Sequence, residues 1–124
     1  MPLSAAIADD NLSCQINEVP AESQQHWEDM KNIGCQGAKI LPENLVYFGV
    51  LITEEAEDKQ IEKLKIRNYR VAEVRYRGLE KCVIEALSKL SYCDRLSISF
   101  DLDSLDCDMI SYGTGTPVPK GFDQ

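Results

Sequence analysis

Leu45-Val46-Tyr47-Phe48-Gly49-Val50-Leu51-Ile52 is an unbroken apolar run rich in β-branched and aromatic residues. A run of this length without polar interruption suits a strand buried on both faces, as in a parallel sheet. Thr53 follows and can cap a helix. Glu54, Glu55, Glu57 and Asp58 crowd the first turns of that helix, and Lys63 and Lys65 its end. That charge order complements the helix dipole. Residues 69–74 read as a second short strand. Gly78 opens a further helix, in which Leu79, Val83, Ala86, Leu87 and Leu90 fall on one face at helical spacing. Asp94-Arg95 turns the chain into a third strand, residues 96–100. Strand, helix, strand, helix, strand is the order of an α/β fold with parallel pairing.

Upstream of Leu45 the pattern is weaker. Residues 2–7 are small and apolar and predict a helical turn. Residues 9–20 read as loop. A short helix is expected over residues 21–30, with Gly34 and Gly37 breaking it. With 124 residues, the chain forms one domain at most. It shows no internal repeat, no low-complexity segment and no domain boundary.

Hydrophobic residues make up 44% of the chain and charged residues 27%, ordinary values for a globular protein. A net charge of -8 leaves no basic face for nucleic acid. It favours solubility, and it also suits a cationic ligand or metal. No apolar run is long enough to span a membrane. Residues 1–10 lack a basic region ahead of an apolar stretch, so no signal peptide is expected and a cytoplasmic location is. The five cysteines, Cys14, Cys35, Cys82, Cys93 and Cys107, are scattered and never paired as C-x-x-C. That excludes a disulfide framework or zinc knuckle and predicts reduced thiols. Most of them should be buried, while Cys107 lies in a loop and is expected to be exposed. His26, beside Trp27 in a polar stretch, reads as a surface residue.

The third strand carries the chemistry. Continued alternation would point Leu96, Ile98, Phe100 and Leu102 one way and Ser97, Ser99, Asp101 and Asp103 the other. Two carboxylates would then share a face, about 7 Å apart along the strand. They would lie at its C-terminal end, where open α/β sheets bind ligands. Repulsion between them is relieved by a hard cation, and oxygen ligands favour Mg, Mn or Ca over Zn. A D-x-D alone has other readings. A calcium-binding EF-hand loop would need Gly at its sixth position and Glu at its twelfth, where Asp106 and Tyr112 stand. An aspartyl-phosphate enzyme would use Asp101 as nucleophile and Asp103 as acid. It would want a hydroxyl residue two places after Asp103, where Leu105 stands. A non-catalytic α/β domain with an acidic binding or assembly loop also remains open.

Ser99-Phe100-Asp101-Leu102-Asp103-Ser104-Leu105-Asp106, followed by Gly113-Thr114-Gly115-Thr116-Pro117-Val118, resembles the ureohydrolase family of arginases, agmatinases and formiminoglutamases. That family carries S-F-D-x-D-x-x-D and, at this distance, a G-T-P turn. The resemblance implies a three-layer fold with a mainly parallel sheet, of which residues 1–124 are a single partial domain. It implies that Asp101 and Asp103 ligate two manganese ions that activate water against a small guanidino or amidino substrate. It places Thr116 beside the substrate. It also implies a tendency to homo-oligomers.

Less sharply, residues 1–4 resemble the stretch after the family's H-G motif, and Tyr47-Phe48-Gly49-Val50 its strand before an R-D pair. Leu51 and Ile52 occupy the R-D positions. Glu54 and Glu57 fall where acidic residues would hold a substrate ammonium group, although the acidic first turn of a helix is the preferred explanation of them. The D-A-H-x-D strand, the metal-binding histidine and a late substrate-binding glutamate have no counterpart here. The resemblance therefore predicts a fragment that is inactive in isolation and binds manganese weakly. A free fragment should also expose a sheet edge.

Overall fold

The computed structural model describes residues 2–110, 112–113 and 117–123. Its elements run α1 (Pro2–Ile7), α2 (Ala21–Lys31), β1 (Val46–Phe48), α3 (Glu55–Lys63), β2 (Arg67–Tyr69), α4 (Val71–Arg77) and α5 (Leu79–Lys89). Short 3-10 turns occupy Leu12–Cys14, Pro42–Asn44 and Leu102–Ser104. No helix among the described residues is long and apolar enough to cross a membrane.

β1 and β2 pair in parallel, Val46 with Arg67, Tyr47 with Asn68 and Phe48 with Tyr69. α3 makes the crossover between them, so the expected β-α-β unit is present. β1 is shorter than the apolar run that predicted it. Gly49 still donates its N–H to the Tyr69 carbonyl at 2.9 Å. Its φ of +67° then turns the chain out of the ladder. Thr53 does not cap α3. Glu54 stands at the N-cap, and its N–H donates to Glu57 Oε2 at 3.0 Å, while Thr53 Oγ1 donates to Asp58 Oδ1 at 2.8 Å.

The strand expected over residues 69–74 is overturned. β2 ends at Tyr69, and α4 begins two residues later. Val71 and Val74 are buried, and their spacing of three is helical rather than alternating. Gly78, with φ +89°, ends α4 and admits α5 directly.

The core is small. Tyr69, Val74, Cys82 and Ala86 form it, with Val46, Phe48 and Phe122 packed against it. Phe48 stacks on Tyr69 with ring centroids 4.6 Å apart. The Arg67 guanidinium lies 3.7 Å from the Tyr69 ring centroid on that ring's face, a cation–π contact. Arg67 also pairs with Glu73, which Arg77 Nη1 reaches at 2.6 Å.

α5 is helical as expected, but its inward face is shifted: of the expected stripe Ala86 is buried, and Cys82, outside that stripe, is buried with it. Leu79, Val83 and Leu87 of the expected stripe are exposed. The third strand is also overturned. Residues 95–100 enter no ladder, and Leu96, Ile98 and Phe100 are all exposed. A strand exists only where a neighbour accepts its hydrogen bonds, and no described segment supplies one there.

Candidate functional site

The end of the unpaired segment is shaped by local hydrogen bonds. Asp101 Oδ1 accepts from the Asp103 N–H at 3.1 Å. Ser104 Oγ donates to the Asp101 carbonyl at 2.6 Å, and the Ser104 N–H to the same oxygen at 3.1 Å. An Asp side chain that bonds the backbone two residues on favours a turn over an extended strand. The alternation therefore stops at Asp101, and Asp103 sits on the 3-10 turn Leu102–Ser104. Both carboxylates remain exposed. They line an open cleft with Phe100, Leu105, Ile110 and Tyr112.

The turn is anchored from behind. Leu105 bridges Phe122 in parallel sense. The Phe122 N–H donates to the Ser104 carbonyl and the Asp106 N–H to the Phe122 carbonyl, each at 2.9 Å. Phe122 then reaches the core. Arg75 Nη2 donates to the Gly121 carbonyl at 2.9 Å and pairs with Asp123 at 3.0 Å. The chain passes so close here that a Cβ on Gly121 would lie 2.4 Å from the Leu105 carbonyl carbon.

Asp106 is the residue that sequence reasoning passed over. It is buried, and its carboxylate accepts from the Asp108 N–H at 2.9 Å and the Lys120 N–H at 2.6 Å. It thereby ties residues 106–108 to Lys120. Its position as the last aspartate of D-x-D-x-x-D was the available signal. Cys107, expected to be exposed, is buried. Burial pushes its thiol up, with Asp108 and Asp106 adding to the effect, so it is held as the unreactive protonated form.

The other candidates lie elsewhere. Glu54 and Glu57 occupy the α3 N-terminus, and no hydrogen bond or ion pair joins them to the Asp101–Asp103 turn among the described residues. Burial, with the Glu57 charge adding, pushes the Tyr47 phenol up. Thr116 lies outside the described residues. His26 is on the exposed surface of α2, 3.7 Å from Glu22. None of the five cysteines is in a disulfide.

Asp101 and Asp103 are hard oxygen donors of the kind manganese takes. No group of three His, Cys, Asp or Glu side chains among the described residues is placed to hold a metal ion. The donor set fits manganese in kind and is incomplete in number.

The Arginase family model matches residues 21–124. The arginase of Bacillus subtilis (strain 168) is 37% identical over 95 residues, which cover 77% of this chain and 32% of that protein. An Entamoeba histolytica arginase is 37% identical over 85 residues, covering 67% of this chain and 28% of its own. Among solved structures, Helicobacter pylori arginase matches 99% of this chain and 39% of its own at 27% identity, with a TM-score of 0.85. Entamoeba histolytica arginase in complex with L-ornithine matches 99% of this chain and 36% of its own at 25% identity, with a TM-score of 0.73. The chain spans about a third of the length of the curated relatives it matches. With a parallel β-α-β unit, an aspartate turn behind it and a family match over most of its length, this chain belongs to the arginase family.

Proposed function

We propose that residues 1–124 form one partial domain of a manganese-dependent ureohydrolase, carrying one of the aspartate pairs of its metal centre. The observation that carries the reading is the Asp101–Asp103 turn, open to a cleft and anchored by Asp106 and Phe122 within an arginase-family stretch. Asp101 and Asp103 would hold manganese. When bound, the metal supplies a hydroxide nucleophile at neutral pH for cleavage of a guanidino or amidino C–N bond. The chain's own part is orientation. The Asp103 N–H fixes one Asp101 oxygen, and the 105–122 closure holds the whole turn in place. Thr116 is proposed to line the substrate, and Glu54 and Glu57 to face a substrate ammonium group. The Entamoeba histolytica relative was solved with L-ornithine, which fits a cationic substrate class. The site is proposed to work in the cytoplasm and as part of a homo-oligomer.

Two carboxylates leave most manganese coordination to water, so the isolated chain is expected to bind manganese only in the millimolar range and to release no urea. Electron paramagnetic resonance of Mn2+ titrated into the chain tests this, with Asp101→Asn as the paired variant. Binding that disappears in Asp101→Asn supports the assignment. Equal absence of binding in both proteins overturns it in favour of a non-catalytic acidic loop. Phosphatase activity that Asp101→Asn abolishes would identify an aspartyl-phosphate enzyme instead. Urea release by the 124-residue chain alone would overturn the claim that its centre is incomplete.

A further inference from the structure

The last turn of α4 carries two arginines that reach in different directions. Arg77 pairs with Glu73 and Glu85 and ties α4 to α5. Arg75 turns instead to the segment that returns behind the aspartate turn. Its Nη2 donates to the Gly121 carbonyl at 2.9 Å and lies 3.0 Å from Asp123 Oδ2. One nitrogen thus holds the residues on either side of Phe122. The fastenings of residues 120–123 alternate. Lys120 and Phe122 bond residues 104–106, while Gly121 and Asp123 meet Arg75. Arg75 has a fixed base, because it follows Val74, which is buried in the core. Its own side chain is 47% exposed and that of Asp123 40%. An ion pair this open adds little to global stability. The contribution left to it is geometric. A planar guanidinium aims its N–H groups in fixed directions, whereas a lysine ammonium is a point charge on a flexible stem.

We propose that Arg75 is a positioning residue for the divalent-ion site: it holds Gly121 and Asp123, and so fixes the segment against which the Asp101–Asp103 turn is built. The proposal rests on the manganese reading above and adds a residue to it. Arg75 does not touch the ion. Its influence runs through three links, Arg75 to Gly121, Phe122 to Ser104, and Ser104 to the Asp101 carbonyl, which Ser104 meets with both its N–H and its Oγ. Groups that orient metal ligands from behind set the affinity of a site without joining it.

The test uses the 124-residue chain with Mn2+ as the probe, read by electron paramagnetic resonance, alongside native-state amide exchange. Arg75→Met keeps an unbranched apolar stem and removes the guanidinium. It should weaken Mn2+ binding about tenfold, the low end for groups that orient metal ligands. Exchange at the Asp106 and Phe122 amides should accelerate about tenfold. The urea midpoint should stay at the wild-type value, as should exchange of the Gly49 amide, which is bonded to the Tyr69 carbonyl. Arg75→Lys should recover part of both losses. Asp123→Asn removes the ion pair and leaves the Gly121 bond, so it should show a smaller change in the same direction. Arg77→Met is the contrast: it should lower the urea midpoint and leave Mn2+ affinity and exchange at Asp106 and Phe122 unchanged. Wild-type Mn2+ affinity in Arg75→Met would overturn the proposal. So would equal losses of Mn2+ binding in Arg75→Met and Arg77→Met, which would make general stability the cause. A wild-type chain that binds no Mn2+ counts against the manganese reading instead. Exchange at Asp106 and Phe122 then decides alone whether Arg75 fixes the turn, and wild-type rates in Arg75→Met would refute it.

Discussion

Replacing Gly121 with alanine asks whether the 105–122 closure holds the aspartate turn. A Cβ at this position would lie 2.4 Å from the Leu105 carbonyl carbon, 2.5 Å from the Asp106 nitrogen and 2.6 Å from the Leu105 oxygen. These are backbone atoms, so no change of rotamer relieves the clash. Carbon atoms in contact sit about 3.5–4.0 Å apart, so the two segments must separate by about 1 Å. Separation strains the two 2.9 Å bonds that link Phe122 to Ser104 and Asp106, and the one from Arg75 to the Gly121 carbonyl. Overpacking of this kind costs about 1–3 kcal/mol, and a lost backbone hydrogen bond adds about 1 kcal/mol. The local closure should weaken by about 2–4 kcal/mol in total, or roughly 30- to 1000-fold in its opening equilibrium. Native-state hydrogen exchange at the Asp106 and Phe122 amides reads that change, and the urea midpoint reads its share in global stability. Gly113→Ala is the control, because nothing lies within 4 Å of a Cβ there. Its effect should stay within about 0.5 kcal/mol. If the two variants exchange at the same rate and unfold at the same urea concentration, the closure does not act as described.

Three further outcomes are expected. Arg67 first, then Arg77, pull the Glu73 carboxyl from 4.5 down to about 2. A depressed folded value stabilises the fold above the unfolded one, and that stability is lost as pH falls through the folded one. After screening of this part-exposed network, about 1–2 kcal/mol should disappear between pH 4.5 and 2; urea midpoints that fall equally over this range in Glu73→Gln would contradict it. Asp106→Ala leaves the Asp108 and Lys120 amides without their acceptor. It should cost about 2–3 kcal/mol, with exchange accelerated at those two amides and Asp106→Asn intermediate between wild type and alanine. Gly49→Ala meets both a φ of +67° and the Phe122 ring, 2.3 Å from the new Cβ. It should destabilise by about 2–4 kcal/mol, and Phe122→Ala in the same chain should make the two losses clearly less than additive by urea titration.

The local spacing of residues determined much of this chain. The apolar run at 45–52 led to β1, the acidic-to-basic gradient after it to α3, and the spacing after Gly78 to α5. Each depends on groups a few residues apart, so the sequence encodes each directly. The paired motifs at 99–106 and 113–118 pointed to the arginase family, and the family match over residues 21–124 agrees.

Tertiary structure decided what depends on distant partners. Residues 69–74 read as a strand from their pattern, but Val71 and Val74 are buried on one face of α4, Val74 in the core with Tyr69. The spacing in α5 gave one apolar face, and contact with β1 and β2 shifted the buried part of it to Cys82 and Ala86, leaving Leu79, Val83 and Leu87 exposed. Residues 96–100 have the pattern of a strand, but a strand requires a neighbour's hydrogen-bonding groups, which its own sequence cannot supply. Asp106 looked like one more acidic residue. The return of the chain at Lys120 and Phe122 gives its carboxylate a second backbone amide beside that of Asp108, and its own N–H a carbonyl to meet. The chain's own sequence thus determines which residues are proposed to bear the chemistry, Asp101 and Asp103. Contacts between remote segments decide how the turn that presents them is held, because closing a loop depends on both of its ends.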